Sequence, residues 1–263
     1  MFQPKLTLVI GFVAFATLAC AQYTIQPKPI TEGSSLVFTK EQIFDLRVHS
    51  HGMSFGYTKA EIKTWYKTTY SYFDIGSLRN AREHSQNFKF FNQGIFQESS
   101  KAFVYGKKNS LYALRAGIGK RRSFSEKARK KSIVVGMSYE YGVTLGLLKP
   151  YYLKLTRFID GGAEQEISVE KYSEENHDLF LDETLIFGGA EFRHGLSELK
   201  LRPGVHGKIG MNFAWGNVDR IIKAVEVGIM GDFFLSSVPI MVEGPNRPYF
   251  LNLYLTAQFG KRS

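Results

Sequence analysis

Residues 132–150 read SIVVGMSYEYGVTLGLLKP, a run about as long as a membrane-spanning helix, with one charge, Glu140, before its last two positions. Its period decides what it is. Ile133, Val135, Met137, Tyr139, Tyr141, Val143, Leu145 and Leu147 fall on one side of a period-two pattern, and Ser132, Val134, Gly136, Ser138, Glu140, Gly142, Thr144 and Gly146 on the other. One face is apolar and the other is mostly small or polar, which marks a β-strand. A helix would scatter the glycines and Glu140 around its surface, at about 1 kcal/mol for each interior Gly relative to Ala.

Alternation alone does not separate a soluble sheet from a membrane barrel, because a soluble sheet also buries one face. Repetition in long strands does. Leu199, Leu201, Val205, Ile209, Met211, Phe213 and Trp215 alternate with Lys200, Arg202, Gly204, His206, Lys208, Gly210 and Asn212. Tyr249, Leu251, Leu253, Leu255, Ala257 and Phe259 alternate with Phe250, Asn252, Tyr254, Thr256 and Gln258. Val225, Val227 and Ile229 do the same with Glu226 and Gly228, as do Tyr112, Leu114, Ala116 and Ile118 with Arg115 and Gly117. Weaker candidates are residues 43–57, 61–75 and 151–158. Together these predict an all-β fold, a transmembrane antiparallel up-and-down β-barrel of about eight strands, most near the ~9–11 residues that a tilted strand needs.

The 263-residue chain is 44% hydrophobic and carries a formal charge of +10. Lys5, the apolar run 6–18 and the small residues Ala19, Cys20 and Ala21 have the layout of a secretory signal peptide over residues 1–21, leaving residues 22–263 as one barrel domain. Cys20 is the only cysteine. Cleavage after Ala21 removes it and with it disulfides, thiolate metal sites and a cysteine nucleophile; lipidation would instead make Cys20 the first mature residue, although Thr17 replaces the usual upstream Leu. An exported basic chain points away from nucleic acid and toward acidic surfaces such as phosphorylated lipids, a basic surface that serves only solubility being the plain alternative.

Outer-membrane barrels join strands by short turns inside and long loops outside. Residues 148–150 and 216–219 are predicted as periplasmic turns, and 120–131, 159–198 and 236–246 as outer loops, with the C-terminus in the periplasm. Trp215, Phe213, Leu147, Tyr72 and Phe73 would then form an inner girdle. Residues 76–101 fit poorly, because this count puts a long segment on the periplasmic side; either it is an ordered inner segment or a strand pair is miscounted there.

Two blocks carry a resemblance. Phe103-Val104-Tyr105-Gly106-Lys107, Asn109, Tyr112, Leu114-Arg115, Gly117, Gly119 and Lys127 form the first, and Leu145-Gly146-Leu147-Leu148-Lys149-Pro150 the second. The chain resembles a poorly characterised family of exported barrel proteins from Bacteroidota, among small OmpA-like and PorT-like barrels. A basic element of that family survives here only as Arg79-Asn80-Ala81-Arg82-Glu83. The resemblance covers about a third of the chain and implies location and fold more than activity.

The predicted inward faces collect Arg115, Lys200, Arg202, His206 and Lys208 against Glu140, Glu226 and Asp232. An eight-stranded barrel has an interior that side chains fill, so these should pair as a plug; a narrow anion-preferring path is the alternative, since bases outnumber acids in this set. Lys120, Arg121, Arg122, Lys127, Arg129, Lys130 and Lys131 form a predicted external basic loop suited to lipopolysaccharide phosphates, or simply solvated. His49-Ser50-His51 raises catalysis and metal binding, with Asp45 as a third ligand. Ser50 points away from both histidines on a strand and the spacing to Asp45 is poor, so no catalytic, metal or cofactor site is expected. The acidic segment 160–183 lacks the ligand spacing of a calcium loop. The expected function is non-enzymatic, as a structural or accessory outer-membrane subunit of an envelope-biogenesis or secretion complex. A small solute pore and a lipid A-modifying enzyme are the alternatives.

Overall fold

The structure is a computed structural model and describes residues 38–86, 101–124, 133–159, 164–215 and 220–263. The predicted signal peptide, Cys20, Lys127, Arg129, Lys130, Lys131 and the predicted turn 216–219 lie outside the described residues. In chain order the strands are β1 (Lys40–His49), β2 (Gly52–Thr64), β3 (Lys67–Leu78), β4 (Ser85–Gln86), β5 (Phe103–Val104), β6 (Asn109–Ser123), β7 (Val134–Pro150), β8 (Tyr152–Ile159), β9 (Glu164–Lys171), β10 (Ile186–Gly189), β11 (Lys200–Trp215), β12 (Ile221–Phe234) and β13 (Tyr249–Arg262). Eight of them close a barrel in the order β1-β13-β12-β11-β7-β6-β3-β2. Every neighbouring pair in it is antiparallel, and β1 meets β13 through pairs such as Phe44↔Phe259 and His49↔Tyr254.

Side chains alternate along these strands, most regularly in β1 and β13. In β1, Glu41, Ile43, Asp45, Arg47 and His49 are buried, while Phe44, Leu46 and Val48 face out. The outer wall continues through Phe55, Phe73, Ile118, Val143, Ile209, Ile229, Leu253 and Leu255, with Val143 65% and Leu253 67% exposed. A continuous apolar belt around a wall with a charged interior is an inside-out protein, stable when the belt meets hydrocarbon. Inside, glycines leave room for large side chains. A Cβ at Gly119 would lie 2.4 Å from the Tyr70 ring, and one at Gly210 would lie 2.2 Å from the Tyr254 hydroxyl.

The two ends differ. One carries both ends of the barrel sequence, Lys40 and Arg262, the Trp65-Tyr66 hairpin and the β6–β7 and β11–β12 connections. The other carries the short Ser50-His51 hairpin and the described parts of three long connections, residues 79–86 and 101–108, 151–159 and 164–199, and 235–248. The long-loop end is structured. There β8, β9 and β10 form a three-stranded sheet, β4 pairs with β5, and Phe103, Leu153, Leu155, Phe180 and Ile186 make a separate core. A second cluster, Leu78, Leu111, Ala113, Leu148, Phe234, Val238, Ile240 and Phe250, draws residues from the barrel wall and the 235–248 segment.

These ends correct several expectations. Residues 43–57 and 61–75 hold three barrel strands rather than two, and β8 pairs outside the barrel. The two errors cancel in the count of eight and account for the poor fit of residues 76–101: the described flanks of that connection, residues 79–86 and 101–108, lie at the long-loop end. Leu148, Lys149 and Pro150 do not turn; they are the end of β7, paired with Leu111, Ser110 and Asn109. Leu147 therefore sits at the long-loop end, and Tyr72 faces the lumen rather than a girdle. Lys120, Arg121 and Arg122 are not in an outer loop. They lie in β6 at the end that carries the termini.

Candidate functional site in the barrel lumen

Five barrel strands bring Arg47, Asp74, Arg115, His206 and Asp232 to one level, because inward positions on adjacent strands stand opposite one another. Arg115 is fully buried and three of its five N–H groups go to carboxylates: Nε and Nη2 donate to Asp232 at 2.8 and 2.9 Å, and Nη1 donates to Asp74 at 2.7 Å. The other Asp74 oxygen accepts from Arg47 Nη1 at 2.9 Å, and Arg47 Nε donates to Thr256 Oγ1. His206 Nδ1 lies 3.0 Å from Asp232 Oδ1.

Toward the end with the termini, Lys208 Nζ bridges Glu140 at 3.0 Å and Glu226 at 2.8 Å, and the Tyr254 hydroxyl donates to Glu226. Asp45 accepts from Thr58 Oγ1 and Gln258 Nε2, and Gln258 in turn accepts from Asn212. At the rim, Glu41 binds Arg262 Nε at 2.8 Å and Arg121 Nη1 at 3.4 Å. The layers stack along the lumen, the first two joined by Arg47 Nη2 at 3.7 Å from Glu140, while Glu140 Oε1, His206 Nε2 and the Tyr72 hydroxyl are buried without a hydrogen-bond partner among the described residues. Taken alone each charge would be costly to desolvate, and only such mutual satisfaction makes their burial tolerable.

Six predicted lumen residues, Arg115, Glu140, His206, Lys208, Glu226 and Asp232, meet in this network. Two do not. Lys200 is exposed, and Arg202 is half-buried at the long-loop rim, donating to Ser236 Oγ. Arg121, assigned from sequence to a lipid-binding loop, is a lumen residue, whereas Lys120 and Arg122 face outward. Arg47, Asp74, Asp45, Glu41 and Arg262 complete the network. The signal for β1 was present in KEQIFDLRVH, where Glu41, Asp45, Arg47 and His49 share one period-two face.

The completed set reverses the expected charge excess. Glu41, Asp45, Asp74, Glu140, Glu226 and Asp232 face Arg47, Arg115, Arg121, Lys208 and Arg262, with His206 as a further base that charges only when protonated. Near-balance leaves no standing positive field to select anions. The histidine pair assembles no catalytic unit: His49 is buried, Ser50 Oγ hydrogen-bonds Leu253 of β13, and His51 Nδ1 lies 2.6 Å from Asn252 Oδ1. No group of three metal-capable side chains occurs among the described residues.

No protein-family model matches the chain, and no curated protein does. Among solved structures it is similar to the N-terminal β-barrel domain of Pseudomonas aeruginosa OprF, at 7% identity and a TM-score of 0.33 over 84% of this chain and 96% of that one. The strand pairing itself is that of a closed antiparallel eight-stranded β-barrel.

Proposed function

We propose that the protein is a non-enzymatic barrel of the outer membrane that serves as a structural or accessory subunit of an envelope-biogenesis or secretion assembly. Its interior is a plug. The observation that carries this is the lumen, where Arg115, Asp232, Asp74, Arg47, Lys208, Glu140 and Glu226 bind one another instead of lining a path. Localisation in the outer membrane rests on the apolar belt, which needs hydrocarbon, and on the sequence layout of an export signal. Loop asymmetry then orients the long-loop end outward and the termini toward the periplasm.

The organised outer end supports an accessory role. It folds the 151–199 connection into a three-stranded sheet whose core also takes Phe103, and it leaves Ile167, Val169, Phe192 and Leu235 exposed, surface of the kind that protein partners cover. The proposed kinship with the Bacteroidota barrels gains one observation: its two sequence blocks lie side by side, with Asn109 opposite Pro150 and Leu111 opposite Leu148.

Conductance in planar bilayers tests the central claim. The full-length barrel should show no stable open level at any voltage short of membrane breakdown, and a reproducible open state in the unmodified protein would make it a pore. Lipid A mass spectrometry of a deletion strain should match the parent strain; a missing modification would make it an enzyme. Gentle extraction and affinity purification should bring down stoichiometric envelope proteins, and recovery of the barrel alone would overturn the subunit role.

A further inference from the structure

The outer wall is not uniformly apolar. Near the end that carries the termini, one side of it holds a depression of about 500 Å³ that spans β1, β2, β3, β6 and β7. Register explains its shape. One outward row across these strands runs Gln42, Lys59, Ser71, Ile118, Tyr141, and the row nearer the rim runs Lys40, Glu61, Thr69, Lys120. The short side chains of Ser71 and Thr69 on β3 form its floor. Lysines stand on both flanks, and the rows farther from the rim turn to Phe44, Tyr57 and Phe73.

Positive charge is in excess there: Lys40, Lys59 and Lys120 line the notch with Glu61 as the outward carboxylate, which also feels Lys40, and Lys59 lies 5.8 Å from the Tyr57 ring. Glu61 is engaged by Lys63 at 2.6 Å, and Glu41 turns inward to Arg262. Lys40, Lys59 and Lys120 make no ion pair among the described residues, and Thr69 Oγ1 has no hydrogen-bond partner among them. Lys67 and Arg122 extend the positive surface toward the rim, and both are exposed. A polar, cation-flanked notch bordered on its far side by aromatics is matched by a molecule that presents a phosphate at the membrane interface and acyl chains in the core.

We propose that this notch binds the headgroup of an anionic glycerophospholipid in the periplasmic leaflet, with Lys40, Lys59 and Lys120 around the phosphate and Ser71 and Thr69 beneath it. The inference rests on the membrane orientation given above. It also moves the lipid contact of Lys120 from lipopolysaccharide, which occupies the outer leaflet, to the opposite face of the membrane. Each lysine near an anionic surface contributes roughly fivefold to binding.

The test uses the full-length barrel in bilayer discs of mixed phosphatidylglycerol and phosphatidylcholine, with retained lipids identified by native mass spectrometry. The unmodified protein should retain phosphatidylglycerol over phosphatidylcholine by roughly tenfold or more. The triple variant Lys40→Gln, Lys59→Gln, Lys120→Gln should approach parity, the corresponding triple Arg variant should keep the preference, and Arg82→Gln with Arg247→Gln at the opposite end should leave it unchanged. Equal retention of the two lipids by the unmodified barrel, or an undiminished preference in the triple Gln variant, would overturn the site. Insertion is read separately, by the heat-modifiable gel shift of the barrel in pure phosphatidylcholine and in pure phosphatidylglycerol. A shift without lipid preference removes the site and leaves the membrane barrel standing, whereas failure to insert in either lipid removes both.

Discussion

Arg115 shows how much one inward position commits the barrel to. Its side chain has no solvent exposure and gives three hydrogen bonds to two aspartates. Arg115→Met removes the cation and leaves Asp74 with Arg47 and Asp232 with His206, each carboxylate short of a donor in a low-dielectric interior. The expected cost is about 3–5 kcal/mol, read as a lower urea midpoint of the folded band in a gel-shift assay; a variant as stable as the parent would mean that water already screens this layer. Sequence alternation assigned Arg115, Glu140, Lys208, Glu226 and Asp232 to the inner side, and each is buried; side-chain direction in a strand is local geometry. It could not say which of them touch. Those pairings join residues as far apart as Arg115 and Asp232, and only closure of the barrel sets that distance.

Among the elements, turns and not strands defeated the sequence. The Trp65-Tyr66 hairpin has no Gly, Pro or Asn, and the register shift between Ile62 and Thr64 keeps even-numbered residues inward on both β2 and β3. The period-two pattern therefore runs through the turn without a break. The β8 strand misled in the opposite sense, since it alternates like a barrel strand while pairing with β9 and β10. What pins that outer sheet is electrostatic as well as apolar. Arg157, hydrogen-bonded to Glu170 at 2.5 and 2.9 Å, with further bonds from Asn176 and Ser168, holds the Glu170 carboxyl down at about 2. A depressed carboxylate contributes stability that is complete above its unfolded value near ~4.3 and is lost as pH falls toward 2. Hydrogen exchange should show β8 and β9 amides protected at neutral pH and opening below about pH 4, with Glu170→Gln removing that dependence. Equal acid sensitivity in the Gln variant would assign the effect to another group.

For the whole molecule, orientation is the property most open to a direct check. A cysteine introduced at Ser237, in the segment between β12 and β13, should react with a membrane-impermeant maleimide on intact cells. One introduced at Trp65, in the β2–β3 hairpin, should react only after the outer membrane is breached. The reverse pattern would place the packed sheet in the periplasm and move the proposed lipid notch to the outer leaflet. The sequence by itself determined that the chain is built of long alternating strands with an apolar side and a charged side, since both follow from the period of neighbouring residues. It also determined that the charged side would need internal partners. Only the tertiary structure decided which strands join the barrel, which end carries the loops, and that six carboxylates meet five cations and a histidine within the lumen. Those are consequences of register and closure, which depend on pairings between distant segments and leave no local trace in the order of residues.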